Sequence, residues 1–255
     1  MIRQRLSLFA VVLLLASAAA AQMAPPSAPP VFTYVAEWNI PRAQWADYRA
    51  FAQSAQPILD RLVSSGTLIG YGTYETFVHE IDGPTHGTWW TASSIANLDK
   101  ARVELLKLTP TQGQLQAKHR DYLLRSLIHK GSSVKTGPGF LVVSYNLVLP
   151  GKGNDWRQLW EKNQKPIFDE LVANGAITQY GLDVEQVHTS DPNGRYVWYT
   201  TSGPDGVDKV GAALNAANEK RTEQERQTIT LQVAAVSDGK MHRDYYANVT
   251  AYAHK

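Results

Sequence analysis

The sequence contains no cysteine among its 255 residues. This absence excludes disulfide bonds, thiolate catalysis, iron–sulfur clusters and zinc sites of the cysteine type. Stability must therefore come from a packed core. Seven tryptophans and twelve tyrosines provide large side chains for such a core.

The sequence also lacks an excess of either charge beyond its first residues. Residues 1–21 contain Arg3 and Arg5 and no acid, which leaves 23 basic and 23 acidic side chains in the remainder. Proteins that bind nucleic acids need a basic face to displace counterions from phosphates. We therefore expect no nucleic-acid partner.

Several motifs of nucleotide, hydrolase and metal sites are missing. The sequence has no Gly-rich phosphate-binding loop and no Gly-x-Ser-x-Gly elbow, and its histidines follow neither His-x-His nor His-Glu-x-x-His spacing. A haem would need an axial ligand such as histidine or tyrosine, and no histidine can be assigned to that role. We therefore predict no metal site and no bound cofactor.

A long apolar run occurs at the start of the chain. Arg3 and Arg5 precede an apolar run over residues 6–15, and small residues fill positions 16–21. This pattern predicts a secretory signal peptide over residues 1–21, too short for a stable membrane span, although an uncleaved anchor is the alternative. Residues 22–30 then form a Pro-rich leader. We expect a secreted or periplasmic protein with no membrane contact after cleavage.

The rest of the sequence contains an internal repeat. At an offset of 109 residues, Pro57, Asp60, Gly66 and Trp89 meet identical residues at 166, 169, 175 and 198. Near the end the offset becomes 123, where the tetrad at 119–122 (HRDY) recurs at 242–245. A repeat of this length exceeds the solenoid range and indicates two similar small domains. We place them at 31–130 and 140–255, with a linker at 131–139.

Hydrophobic periodicity predicts the same order of elements in both repeats. In the first we expect a strand at 31–40, a helix at 42–65 with a kink or break at Pro57, strands at 68–80 and 87–93, helices at 95–108 and 111–118, and a strand at 122–129. In the second we expect a strand at 140–149, a helix at 154–174, strands at 177–189 and 196–202, a helix from 207, an extra helix near 219–238 and a strand at 245–254. This order is the ferredoxin-like βαββαβ unit, and the fold class is α+β.

One face of such a sheet carries no helices, and a second repeat in the same chain can cover it by closing a barrel. By element order and duplication, over nearly all residues after the signal peptide, the chain resembles the dimeric α+β barrel superfamily. The resemblance implies a single-chain, pseudo-dimeric α+β barrel. The superfamily includes cofactor-free monooxygenases, haem-degrading oxygenases, and decarboxylase- and cyclase-like proteins. In these proteins the ligand commonly lies between a sheet face and nearby helices.

Polar side chains on strand faces meant for burial are candidates for ligand binding, because each needs a partner. We expect Glu37 to line a pocket, where its carboxylate is a candidate general base. The other residues expected to line this pocket are Asn39, Arg125, Asn146, Tyr246 and Asn248. The alternative is a Glu37–Arg125 ion pair with ordinary hydrogen bonds inside a wet barrel.

Two histidines occupy equivalent positions in the repeats, His79 and His188, each at the end of a hairpin strand. Either is a candidate general base or proton shuttle. The alternative is a rim histidine that bonds a turn carbonyl or covers a tryptophan. The tetrads beginning at His119 and His242 either tie a helix to the sheet or bring a histidine to the mouth of the pocket.

Three functions are compatible with these patterns. The first is an exported small-molecule binding or accessory protein with a pocket between sheet face and helices. The second is a cofactor-independent oxygenase or isomerase acting on a small hydrophobic or aromatic substrate, with Arg125 or an asparagine holding a developing oxyanion. The third is a protein-interaction module that docks through the extra helix, and it predicts an exposed apolar patch and no cavity. Because the polar positions differ between the repeats, two equivalent active sites are not expected.

Overall fold

Alternating β-branched and aromatic residues form the strands of this chain, and amphipathic runs between them form the helices. The structure, a computed structural model, describes residues 30–187 and 191–255. The predicted signal peptide, all but the last residue of the predicted leader, and His188 lie outside these ranges. The first part of the chain contains β1 Phe32–Asn39, a 3-10 turn Arg42–Gln44, α1 Trp45–Ser64, β2 Gly70–Thr76, β3 His86–Ala92, α2 Ile95–Leu105, α3 Gln112–Gln116 and β4 Lys118–Gly131.

The second part of the chain adds four strands and four helices among the described residues. These are β5 Val134–Val148, α4 Gly153–Asn163, α5 Lys165–Ala173, β6 Gln179–Glu185, β7 Gly194–Thr201, α6 Pro204–Glu219, α7 Glu223–Ala234 and β8 Ser237–His254. None of the helices in these residues is long and apolar enough to cross a membrane.

The strands form one closed antiparallel barrel in the order β1-β3-β2-β8-β5-β7-β6-β4. Two strands join the parts of the chain: β4 pairs with both β1 and β6, and β8 pairs with both β2 and β5. Apolar residues of the helices pack on the outer face of the barrel in two clusters, and a third cluster lies between the strands inside it. The predicted α+β class with an antiparallel barrel is confirmed.

The sequence predicts a kink or break of the first helix at Pro57, but in the structure the helix breaks at the equivalent proline, Pro166. Helix α1 runs through Pro57 without interruption. Pro57 has no N–H to donate to the carbonyl of Gln53, four residues earlier. Both residues are exposed, so water can donate a hydrogen bond to that carbonyl instead. In the second part, the helix ends at Asn163 and a new one starts at Lys165, with Pro166 in its first turn, where the missing N–H costs nothing.

Strands β4, β5 and β8 are longer than the sequence predicts. The tetrads beginning at His119 and His242 lie within β4 and β8 instead of preceding them. Only residues 132 and 133 of the predicted linker separate β4 from β5. The reason is that β4 pairs with β1 near its start and with β6 near its end, so its length spans two neighbours.

Glycine accommodates bulky rings inside the barrel. A Cβ added to Gly181 would lie 2.5 Å from the ring of Trp198, and the ring of Trp89 covers Gly72 in the same way. Tyr71 and Tyr180 point to the helix side, where their hydroxyls donate to Asp60 at 2.8 Å and to Asp169 at 2.7 Å. Both tyrosines are fully buried, so these positions serve packing.

Candidate functional site

Two cavities lie on opposite faces of the sheet. The first, which we call the barrel cavity, has a volume of about 320 Å³ and is enclosed by side chains that point into the barrel. The second, the helix-side cavity, has a volume of about 770 Å³ and lies between the outer face of β5, β7 and β8 and helices α4 to α7. Both volumes fall in or near the range of small-molecule sites. The interaction-module hypothesis predicted no cavity, and that prediction is wrong.

The barrel cavity is walled largely by aromatic side chains. Its rings come from Tyr74, Trp89, Tyr122, Tyr145, Tyr196, Trp198, Tyr245 and Tyr246. Tyr196 stacks on Tyr122 with ring centroids 6.0 Å apart and packs against Tyr145 at 5.3 Å. Aromatic walls of this kind favour flat, apolar ligands.

Glu37 lines the barrel cavity, as predicted, but its charge is neutralised by a different arginine. One oxygen accepts a hydrogen bond from the hydroxyl of Tyr74 at 2.8 Å, and the other is held by Arg120 at 2.5 and 3.2 Å. Burial, and next the negative charge of Glu37, raise the pKa of the phenols of Tyr74 and Tyr122 above the usual value. Both oxygens of Glu37 are therefore engaged by side chains of the protein itself.

A second carboxyl group, Asp183, lies deeper in the barrel cavity and was not singled out from the sequence. It is 1% exposed, and the indole N–H of Trp198 donates to one oxygen at 2.7 Å. The other oxygen is buried without a hydrogen bond among the described residues. Burial raises the pKa of Asp183 to about 6, although Ser126 and Trp198 act to lower it. Ser126 is paired with Asp183 across β4 and β6, and its hydroxyl, like the second oxygen of Asp183, makes no hydrogen bond among the described residues.

The sequence did contain a signal for Asp183. In β6, Tyr180 and Leu182 are fully buried against the helices, so the intervening residues Gly181 and Asp183 point into the barrel. An aspartate at an alternating position inside a barrel strand therefore identifies an interior carboxyl group. Asp183 was not predicted because it lies in β6, whereas the predicted lining residues lie in the first and last strands of the repeats.

The helix-side cavity has an aromatic floor and a polar rim. Its aromatic residues are Trp156, Trp160, Phe168, Tyr199 and Tyr246, and its polar residues are Ser144, Asn146, Asn163, Gln164, Asn215, Asp208, His242 and Asp244. The indole N–H of Trp160 is buried without an acceptor among the described residues. A buried donor of this kind is satisfied by a ligand oxygen or by water.

His242 stands at the rim of the helix-side cavity between two polar neighbours. Its Nδ1 lies 3.1 Å from the amide oxygen of Asn146, and its Nε2 lies 3.3 Å from a carboxylate oxygen of Asp244. The side chain is 44% exposed, so a molecule entering the cavity can reach it. The equivalent pair in β4, His119 and Asp121, is 2.9 Å apart, stacks on Trp38 and lines neither cavity.

The predicted ligand-binding residues do not lie together in the structure. Asn146 lines the helix-side cavity, Tyr246 lines both cavities, and Asn39 lines neither. Arg125 and Asn248 are exposed and line neither cavity, so the expectation that they face a pocket is corrected, as is the Glu37–Arg125 ion pair. Inward-pointing residues of β4 are Arg120, Tyr122 and Leu124, which puts Arg125 on the outer face.

The two catalytic histidine candidates do not meet either cavity in the described structure. His79 is exposed in the loop after β2, where its ring lies 5.2 Å from that of Trp45. This matches the alternative in which the histidine covers a tryptophan. His188 lies outside the described residues.

A one-residue slip explains why Asn146 was expected on the same face as Glu37. Trp89 and Trp198 match at the offset of 109, but Val35 pairs with Trp89 and Val143 pairs with Trp198. The first strands therefore match at an offset of 108. Because side chains alternate along a strand, a shift of one residue exchanges the two faces.

Comparison with known proteins identifies the fold. No protein-family model and no curated protein matches the chain. Three solved structures with which it can be superposed are a proposed monooxygenase from Fusobacterium nucleatum subsp. nucleatum (TM-score 0.64, 12% identity, 90% of this chain and 96% of that one), a proposed monooxygenase from Lactobacillus acidophilus (0.58, 10%, 89% and 97%) and an anthrone oxidase-like protein (0.52, 10%, 89% and 93%). At these identities the likeness shows a shared fold, and the expected resemblance to α+β barrel proteins is confirmed at that level. No group of side chains in the described ranges has the composition of a metal site.

Proposed function

We propose that this protein is an enzyme that oxidises a small aromatic or hydrophobic molecule with O₂, without a cofactor, in the helix-side cavity. The observation that carries the proposal is His242, held between Asn146 and Asp244 at the rim of an aromatic-lined cavity of about 770 Å³. Imidazole is the side chain that most often transfers protons at neutral pH. The three superposed structures, two proposed monooxygenases and an anthrone oxidase-like protein, support the choice of reaction.

The chemistry requires one base and an apolar site. A hydroaromatic ketone such as anthrone carries an acidic CH₂ group, and removal of one proton gives an aromatic enolate that O₂ can oxidise directly. The CH₂ group becomes a carbonyl, and O₂ supplies that oxygen while its second oxygen leaves as water. The protein needs only to remove the proton, hold the enolate oxygen and keep water from the ring.

The side chains of the helix-side cavity fit these roles. Asp244 orients the imidazole of His242 through Nε2, and Nδ1 accepts the substrate proton once the substrate displaces the amide oxygen of Asn146. The buried N–H of Trp160, which has no acceptor among the described residues, donates to the substrate oxygen. Trp156 and Phe168 provide apolar surface for the ring system.

We also propose that the chain is a tandem duplication of a ferredoxin-like unit, exported through a signal peptide at residues 1–21. Matching strand orders β4-β1-β3-β2 and β8-β5-β7-β6 support the duplication. Matching details support it too: Gly66 and Gly175 both have φ of 77°, and Thr111 and Thr222 both form capping boxes before the last helix of their half. Mass spectrometry of the protein secreted by an expression host would identify the cleavage site.

The test of function is O₂ consumption with anthrone as the probe, measured above the spontaneous rate. We expect the wild-type chain to consume one O₂ per anthrone. His242→Gln should lower the rate about a hundredfold or more, because a positioned base contributes at least that much. His119→Gln is the matched control: it removes the equivalent histidine, which lines neither cavity, and should leave the rate unchanged.

Three outcomes would contradict the proposal. Equal rates for His242→Gln and wild type would remove His242 from the reaction. A visible haem or flavin spectrum in the purified protein would overturn cofactor independence. Stable binding of anthrone without O₂ consumption would instead favour the alternative of an exported binding or accessory protein.

A further inference from the structure

The barrel cavity is a second compartment, on the other face of the sheet from the helix-side cavity. Strand β5 separates the two: Val143 and Tyr145 point into the barrel, whereas Ser144 and Asn146 line the helix-side cavity. The function proposed above uses none of the interior groups. Its polar groups therefore need an explanation of their own.

The deep end of the barrel cavity carries a hydrogen-bond acceptor without a partner. Asp183 is almost fully buried, and among the described residues only one of its oxygens accepts a hydrogen bond, from Trp198. Asp183 lies opposite Ser126 of β4. Ser126 is six residues further along that strand than Arg120, which lies at the mouth of the cavity. Leaving such an oxygen unpaired in an aromatic interior is costly. A ligand that brings an O–H or N–H group to this point would satisfy it.

The mouth of the barrel cavity carries positive charge. Arg120 on β4 and Arg243 on β8 line it from opposite walls, since three strands separate β4 from β8 in either direction around the barrel. Arg120 is neutralised by Glu37. Arg243 donates only to the backbone carbonyls of Lys240 and His242, at 2.9 and 2.7 Å, and pairs with no carboxylate in the part of the chain described. One cation at the mouth is therefore available to an anionic ligand.

We propose that the barrel cavity binds a small, flat aromatic acid that carries a hydroxyl group on its ring, with the hydroxyl donating to Asp183 and the carboxylate meeting Arg243. The rings of Trp89, Trp198 and Tyr196 enclose the aromatic part of the ligand between these two ends. The volume of about 320 Å³ is at the lower end of the range for ligand sites and suits one ring with a short side chain. This proposal is independent of the reaction assigned to the helix-side cavity.

The test compares two probe ligands by isothermal titration calorimetry, 4-hydroxycinnamate and cinnamate, which differ only in the ring hydroxyl. We expect the wild-type chain to bind 4-hydroxycinnamate with a stoichiometry of one and to prefer it over cinnamate about tenfold or more, since the hydroxyl bonds a charged acceptor. Asp183→Asn should abolish that preference while cinnamate still binds. Arg243→Gln should weaken the binding of both ligands about tenfold.

Two further variants identify the compartment. Val143→Phe adds bulk inside the barrel and should abolish binding with the fold retained, as judged by circular dichroism. His242→Gln, which alters the helix-side cavity, should leave the affinity of 4-hydroxycinnamate unchanged.

Any one of three results would overturn the proposal. The first is no binding of either acid at millimolar concentration to folded wild-type protein. The second is a hydroxyl preference that persists in Asp183→Asn. The third is binding that survives Val143→Phe but is lost in His242→Gln, which would assign the ligand to the helix-side cavity. Loss of anthrone oxidation in His242→Gln with 4-hydroxycinnamate binding intact would separate the two sites.

Discussion

Asp183 is the residue whose environment is hardest to reconcile with a purely structural role. A carboxyl group 1% exposed among aromatic rings, with one bonded oxygen, destabilises the fold whenever it is ionised. Glu37, by contrast, is matched by Arg120 and Tyr74 and needs no ligand. Residues that weaken the folded state without a structural partner are the ones to examine for function.

The pH dependence of stability tests the environment of Asp183. Because burial raises its folded pKa from the usual value near 3.8 to about 6, the folded state binds the proton more tightly than the unfolded chain. Stability from this group is therefore greatest at low pH and falls by about 3 kcal/mol as the pH rises from about 4 to above 6. Asp183→Asn removes this loss.

The measurement is the free energy of unfolding of wild type and Asp183→Asn in urea between pH 4 and 8. The variant should gain stability relative to wild type as the pH rises. Comparing the two chains cancels the contribution of other titrating groups, such as His86, whose pKa burial lowers to about 4. A difference that stays constant across this range would mean that Asp183 is solvated in the folded protein.

At the residue scale, sequence alternation placed Glu37 inside the barrel, where the structure has it, but it placed Asn146 on the same face, whereas Asn146 lies on the helix side of the sheet. The reason is the register of the first strands, which differs by one residue from the rest of the repeat. Nothing in an ungapped self-comparison reveals such a slip, since Pro41 and Pro150 still match at 109. Register is fixed by pairing with neighbouring strands, and that pairing is non-local.

At the element scale, local patterns predicted which segments are helices and strands more closely than where they end. Periodicity located α1 and α2, and the glycines after α1 and α5 end those helices in the left-handed conformation. The ends of β4 and β8 depend on two partners each, so no local pattern sets them.

The contact between β6 and β7 supplies a prediction at this scale. Gly181→Ala would place a Cβ 2.5 Å from the ring of Trp198 and displace the indole from Asp183. We expect a loss of about 1–3 kcal/mol in the free energy of unfolding, since overpacking forces neighbours from their rotamers. Gly211→Ala is the matched control, because no heavy atom lies within 4 Å of its added Cβ in helix α6. It should gain about 0.5–1 kcal/mol. Chemical denaturation of both variants decides the matter, and an unchanged midpoint for Gly181→Ala would show that Trp198 can move freely.

At the scale of the whole molecule, closure of the barrel depends on the two pairs that join its parts, β2 with β8 and β4 with β6. Either part alone would expose the inner sheet face and two unpaired strand edges, which favour association. We expect a fragment of residues 30–132 not to persist as a folded monomer. Co-expression with 133–255 should restore a one-to-one complex on size-exclusion chromatography. A cooperatively folding, monomeric fragment would contradict this account.

The barrel closes within one polypeptide, and this has a consequence for mass action. A barrel built from two separate chains would come apart on sufficient dilution, and its cavity would be lost with it. Here the partner sheet is tethered at a fixed effective concentration, so the cavity persists however dilute the protein becomes. Dissociation constants for ligands of this cavity should therefore not vary with protein concentration, down to the nanomolar range.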